Sequence, residues 1–209
     1  MRVILFDLDG TLLDSVDLII TSFHYTTETL LGRRLPDERW LDGIGTPLRD
    51  QFSDLVGPDV GLDQFLQTYI AYNLAEHDRL AKPFPGVVEA VQKLHQRGTP
   101  MAMVTSKLSR GANIGLRLLG LEEALPVRVC ADDVTHGKPH PEPVLKALSA
   151  LQATPEEAIF IGDSVHDVVA GQRAGTTTAA VSWGPFSRET FEGVEPDRWF
   201  DHPGEWLEL

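Results

Sequence analysis

The sequence predicts an α/β fold, a parallel sheet flanked by helices with a helical insertion after the first strand. Three observations predict it. Short apolar runs, several of them β-branched, stand between stretches with helical periodicity, the pattern of strand–helix–strand units. Three of these runs end directly in polar side chains. Between Leu13 and Lys82 no strand-like run recurs, while helical apolar spacing does.

Val3 to Phe6 reads as the first buried strand. The insertion follows. Val16, Ile19, Ile20, Phe23, Leu30 and Leu31 fit one amphipathic helix, and Phe65, Leu66, Tyr69, Ile70 and Leu74 fit a second. The chain returns through Lys82-Pro83-Phe84-Pro85-Gly86, where proline restricts the backbone and marks a hinge. The expected division is therefore 1–13 with 83–209 as the core and 14–82 as a helical cap. Val87, Val91 and Leu94 recur at i, i+4 and i+7 in a core helix that Gly98 is placed to stop. Met101 to Val104 is the next strand, and Val127 to Cys130 is a weaker candidate. Pro143 is suited to the first turn of a helix with Val144, Leu145, Leu148 and Leu151 on its buried side. Ile159 to Ile161, Thr178 to Ser182 and a short edge strand at Trp199-Phe200 complete the set. The tail from Gly184 is rich in Pro, Gly and acidic residues. It also holds Phe186, Trp199 and Trp206, with Trp183 just before it, so it is expected to pack.

Composition narrows the function classes. The 209 residues carry a net charge of −13, and no basic run exceeds Gly32-Arg33-Arg34, which argues against a nucleic-acid partner. Cys130 is the single cysteine, so an intramolecular disulfide and a cysteine-built zinc site are excluded. It ends an apolar run and reads as a small buried residue. No apolar stretch approaches the roughly 20 residues of a membrane span. The run Val3 to Phe6 is too short for a signal-peptide core, and the cytoplasm is the expected location. The histidines lack ligand spacing of the His-Glu-x-x-His kind.

The polar strand ends carry the chemistry. Val3 to Phe6 runs into Asp7-Leu8-Asp9-Gly10-Thr11, Met101 to Val104 into Thr105-Ser106-Lys107, and Ile159 to Ile161 into Gly162-Asp163-Ser164-Val165-His166-Asp167. In an open parallel sheet, ligands bind beyond the carboxyl ends of the strands, so the three clusters converge on one edge. Lys138, after a fourth strand candidate, is placed to reach the same edge. Four gathered carboxylates repel one another unless a cation binds between them. Oxygen ligands without a His or Cys set suit Mg²⁺. Thr105 and backbone N–H groups after Asp7 are donors for a phosphoryl group, and Lys138 offsets its charge. A carboxylate nucleophile at phosphorus is established chemistry. Asp9, two residues on, is placed to protonate a leaving oxygen and then activate water.

Together these residues resemble the haloacid dehalogenase-like hydrolases: Asp7-Leu8-Asp9-Gly10-Thr11-Leu12, Thr105 after an apolar run, Lys138-Pro139 and Gly162-Asp163-x-x-x-Asp167, in family order over nearly the whole chain. The resemblance implies a Rossmann-like core with a helical cap, a magnesium-dependent phosphatase acting through a phosphoaspartyl intermediate, and a small phosphorylated metabolite as substrate. By the same resemblance, Asp7 is the nucleophile and Asp9 the acid and base, while Thr105 and Lys138 bind phosphate. Mg²⁺ takes Asp7, the Asp9 carbonyl and Asp163, and Asp167 supports the metal site or Lys138. Gly10, Thr11 and Ser106 are candidate substrate contacts in the core, and Arg49 and His77 are candidates in the cap.

Within the family the chain looks most like phosphoglycolate phosphatases and capped inorganic pyrophosphatases. Gly43-Ile44-Gly45-Thr46-Pro47-Leu48 and Lys138 to Pro143 support that group. Ile19-Ile20-x-Ser22-Phe23, Tyr72-Asn73 with His77-Asp78, and Ala174-Gly175-Thr176-x-Thr178 lean towards the pyrophosphatases. Thr105-Ser106-Lys107 departs from the Thr-Asn-Lys common in phosphoglycolate phosphatases. 2-Phosphoglycolate is the first substrate expectation and pyrophosphate the alternative. A phosphomutase of the same fold and a non-catalytic binding protein are the rival classes.

Overall fold

The computed structural model describes residues 3–41 and 43–209. Met1, Arg2 and Asp42, which the expected core and cap ranges include, lie outside the described residues.

Six parallel strands form the main sheet: β1 (Val3–Phe6), β4 (Met101–Val104), β5 (Val127–Val129), β6 (Ala158–Gly162), β7 (Thr177–Val181) and β8 (Arg198–Phe200), in the order β5-β4-β1-β6-β7-β8. In β1 the pleat sends alternate side chains to opposite faces. Ile4 and Phe6 enter a core with α5 (Val87–Gln96), α6 (Ser109–Leu119) and Trp206. Val3 and Leu5 enter a second core with α7 (Glu142–Leu151) and α8 (Val165–Ala174). Helices on both faces explain why the central strands are apolar throughout rather than alternating. The tail packs as expected, with the Trp206 ring 4.9 Å from that of Phe6 and β8 at the sheet edge. One helix face differs from expectation. Val144, Ala147 and Leu148 of α7 are buried, but Leu145 is 44% exposed, because the buried stripe is narrower than the run of apolar residues.

Residues 16–80 hold α1 (Val16–Leu31), α2 (Asp37–Leu41), α3 (Leu48–Phe52) and α4 (Leu62–Leu80). The two long helices match the predicted amphipathic stretches, and a core of their own forms around Phe23, Trp40, Phe52, Phe65 and Tyr69. Phe23 and Trp40 stack at 4.3 Å. The short helices α2 and α3 were not legible, since five residues span too little of a turn pattern to show periodicity. Nor was the two-stranded antiparallel ribbon, β2 (Leu13–Asp14) with β3 (Lys82–Pro83), which ties together the outgoing and returning chain.

Candidate active site

Strand order alone brings the polar strand ends together. β4, β1 and β6 are neighbours, so Thr105, Asp7 and Asp163 stand side by side where those strands end. Oxygens of Asp7, Asp163 and Asp167 lie within 4.8 Å of one another. Lys138 reaches them from the loop after β5. Its Nζ donates to Asp7 Oδ1 at 2.8 Å and to Asp167 Oδ1 at 2.5 Å. The other Asp167 oxygen accepts from the Ser164 hydroxyl at 2.6 Å, and Ser164 caps α8 by accepting from the Asp167 N–H. Asp167 is thus fixed at both oxygens and fixes Lys138 in turn.

Burial and like charge set the electrostatics. The Asp7 carboxyl is pushed up to about 7, chiefly by burial, with Lys138 opposing and Asp167 and Asp9 adding to the rise. Asp163 is pushed well above the ordinary carboxylate value by burial first, then by Asp167 and Asp7. Burial alone would lower the Lys138 ammonium, but the charges of Asp167 and Asp7 outweigh it and hold it above its ordinary value.

Ionising all three carboxylates against the one ammonium of Lys138 would leave a deficit of two positive charges in the cluster. Asp163 Oδ2 is buried and has no hydrogen-bond partner among the described residues, while Oδ1 accepts from the Thr11 hydroxyl at 3.3 Å. An orphaned carboxylate oxygen among oxygen donors fits a hard divalent cation such as Mg²⁺. Gly10 permits this closeness. Its φ is +82°, and a Cβ there would meet Asp163 Oδ2 at 2.3 Å, so a side chain is barred by both backbone and space.

A testable consequence follows from the carboxyl groups. A folded value near 7 against an ordinary 3.8 means that the native state holds the Asp7 proton more tightly. The stability this contributes is full below the ordinary value and is lost as pH rises through the folded one. A divalent cation competes with those protons. The gain in Tm on adding Mg²⁺ should therefore be small at the acid end of that window and grow towards neutral pH, as thermal melts at matched ionic strength would record.

A cavity of about 180 Å³ opens over Asp7 and Asp9. Thr105, Ser106 and Lys107 line its core side, and Ile19, Phe23, Ile44, Tyr69 and Asn73 line the helical side. Thr105 is buried and its Oγ1 accepts from the Lys107 N–H at 3.2 Å, which leaves the hydroxyl proton available to a ligand. Ser106 donates to the Gly45 carbonyl at 2.8 Å, joining the core to the loop before α3.

The other candidates stand elsewhere. Gly10 and Thr11 do not line the cavity: the Gly10 N–H donates to Leu13 O, and the Thr11 hydroxyl supports Asp163. Their loop is backed by Trp183, whose indole N–H donates to Thr11 O at 3.1 Å. Arg49 is exposed and faces an outer cleft with His136, His140 and Arg173, which Lys138 also lines. His77 is buried, with Nδ1 at 3.1 Å from Asp78 Oδ1 and Nε2 directed towards Gly115 of α6. Neither lines the cavity over Asp7: Arg49 lies on the outer cleft, and His77 shares the buried face of α4 with Tyr69 and Asn73 but sits one turn beyond Asn73. Two residues that the motifs did not single out do belong to the site. Ser15 donates to Asp9 Oδ1 at 2.6 Å, and Lys107 Nζ donates to both Asp9 oxygens at 3.1 Å. The basic residue in Thr105-Ser106-Lys107 was the available signal for the second. Cys130 is buried, and burial pushes its thiol up to about 12, so it is inert as a nucleophile.

The pattern of the haloacid dehalogenase-like hydrolases matches residues 4–181. The chain belongs to that family. It is a phosphatase of this family, and its sheet and helices follow the family's fold. Among curated proteins, pyrophosphatase PpaX of Anoxybacillus flavithermus is 44% identical over 197 residues, covering 94% of this chain and 91% of that one. Pyrophosphatase PpaX of Bacillus thuringiensis is 41% identical over 209 residues, 100% of this chain and 96% of the relative. Among solved structures, a haloacid dehalogenase-like family hydrolase of Streptococcus pneumoniae superimposes with a TM-score of 0.86 at 28% identity, covering 100% of this chain and 97% of that one. No helix among the described residues is long and apolar enough to cross a membrane.

Proposed function

We propose that this phosphatase hydrolyses inorganic pyrophosphate to two phosphates in the cytoplasm, with Mg²⁺ and through a phosphoaspartyl intermediate on Asp7. The observation that carries the chemistry is the Asp7 carboxylate, which lines the cavity, is held by Lys138 and lies with Asp163 and Asp167 in one cluster of carboxylate oxygens. The substrate rests on the full-length relatives, both of which are pyrophosphatases by name.

An Asp7 oxygen attacks one phosphorus, and the bridging P–O bond breaks with its electron pair leaving on the second phosphate. Asp9 lies beside the cavity to hand that oxygen a proton. It then takes a proton from water, which attacks the same phosphorus and frees Asp7. Thr105 donates to the transferring phosphoryl group, and Lys138 holds the Asp7 carboxylate in position while offsetting charge. Asp7, Asp163 and the Asp9 carbonyl would hold Mg²⁺, which when bound supplies charge neutralisation for the phosphoryl oxygens. Residues 14–82 act as a cap whose apolar face excludes water from the reaction.

A second reading, hydrolysis of a short phosphomonoester such as 2-phosphoglycolate, rests on the likeness of residues 43–48 and 138–143 to phosphoglycolate phosphatases. Phosphate release from the two substrates, side by side with Mg²⁺, separates them. Pyrophosphate is expected to show the higher kcat/KM, and turnover of 2-phosphoglycolate alone would reverse the assignment.

A further inference from the structure

Lys107 is poised to do more than neutralise Asp9. It follows β4 by three residues, and its ammonium folds back to bridge both Asp9 oxygens, with side chains only 13% and 15% exposed. The first turn of α6 leaves room for its stem. Gly111 carries no side chain there, and a Cβ would stand 3.0 Å from Lys107 Cε. The cavity wall opposite is apolar, with Ile19, Phe23, Ile44 and Leu48 among its residues. Among the described residues, lysine and arginine enter the lining only as Lys107 and Arg110, and Arg110 is exposed. Lys138 does not line the cavity and is tied to Asp7 and Asp167.

A pyrophosphate with one phosphorus at Asp7 puts its other phosphoryl group into this apolar-walled space. An unpaired anion there would be strongly disfavoured. Lys107 is the sheltered cation within the same lining, and its present partner is the carboxylate that the leaving oxygen must meet. We propose that Lys107 is a specificity-determining residue that exchanges Asp9 for the leaving phosphate, so that the site favours substrates whose leaving group carries its own negative charge. The exchange replaces the charge-assisted hydrogen bonds to Asp9 by ones to the phosphate and frees Asp9 to face the bridging oxygen. As the bridging P–O bond breaks, the electron pair goes to the leaving phosphate, where Lys107 offsets the developing charge. An ester with an uncharged leaving group offers Lys107 nothing, and the lysine stays on Asp9.

This inference rests on the pyrophosphatase reading, and one experiment separates their failures. Lys107→Met, Lys107→Gln and Lys107→Arg are compared with the wild type, in Mg²⁺, on pyrophosphate and on p-nitrophenyl phosphate. The quantity read is the ratio of kcat/KM for pyrophosphate over that for p-nitrophenyl phosphate. Methionine and glutamine are expected to lower this ratio about 100-fold, and arginine to restore most of it. An unchanged ratio in both neutral variants would show that Lys107 merely props Asp9, and would overturn the proposal alone. A wild type active on p-nitrophenyl phosphate but not on pyrophosphate would overturn the substrate reading and the proposal with it.

Discussion

Asp7→Asn is expected to lower turnover by roughly 10⁴-fold or more, the scale on which removal of a covalent nucleophile acts. Asparagine keeps the size and shape of the side chain, and its amide cannot form the acyl phosphate. The fold should survive the change. Burial and the neighbouring carboxylates disfavour a negative charge at Asp7, so its removal relieves repulsion from Asp167 and Asp9. Without Mg²⁺ the variant should therefore melt no lower than the wild type at neutral pH. Steady-state phosphate release, with intact mass to exclude deamidation, and thermal melts check the two halves. Full activity in an undeamidated variant would end the nucleophile assignment.

Lys138→Met is expected to damage both activity and stability. The ammonium is 1% exposed and joins Asp7 to Asp167. Its removal leaves the carboxylates of Asp7, Asp163 and Asp167 together without a cation, and uncompensated buried charge of this kind costs about 3–5 kcal/mol. Activity should fall on the order of 10³-fold, as when a charge-stabilising donor is lost from an active site. The stability loss has a direction in pH. Once Lys138 is removed, Asp7 and Asp163 hold their protons still more tightly in the native state, so the deficit should shrink as pH falls and these two become neutral. Urea denaturation across that range measures it. A variant as stable as the wild type at neutral pH would mean that the Lys138 ion pairs contribute nothing to the fold.

Much of this site was legible in the sequence because parallel sheets place function where strands end. An apolar run followed at once by Asp7, Thr105 or Asp163 marks both the strand and its carboxyl end. The convergence of the three depended on their strands being neighbours, as β4, β1 and β6 are. Arg49 and His77 were a different kind of inference. A helical pattern tells which face is buried, but not which stretch of that face lies over the site. His77 accordingly proved to be buried against α6, and Arg49 to face the outer cleft. Gly10 and Thr11 were expected to touch substrate, but the tight turn directs their groups to Leu13 and Asp163. Lys107 and Ser15 were passed over because their partner is Asp9. Contacts of this kind depend on how loops fold back, and the local pattern does not carry that information.

Covalent capture addresses the chemistry most directly. Asp9→Asn, which should form the acyl phosphate but hydrolyse it slowly, is mixed with ³²P-labelled pyrophosphate and Mg²⁺, quenched in acid and digested. The expected result is a single hydroxylamine-labile phosphopeptide carrying the label on Asp7, absent from the Asp7→Asn, Asp9→Asn double variant. Label on another residue, or an undiminished yield in the double variant, would contradict the mechanism.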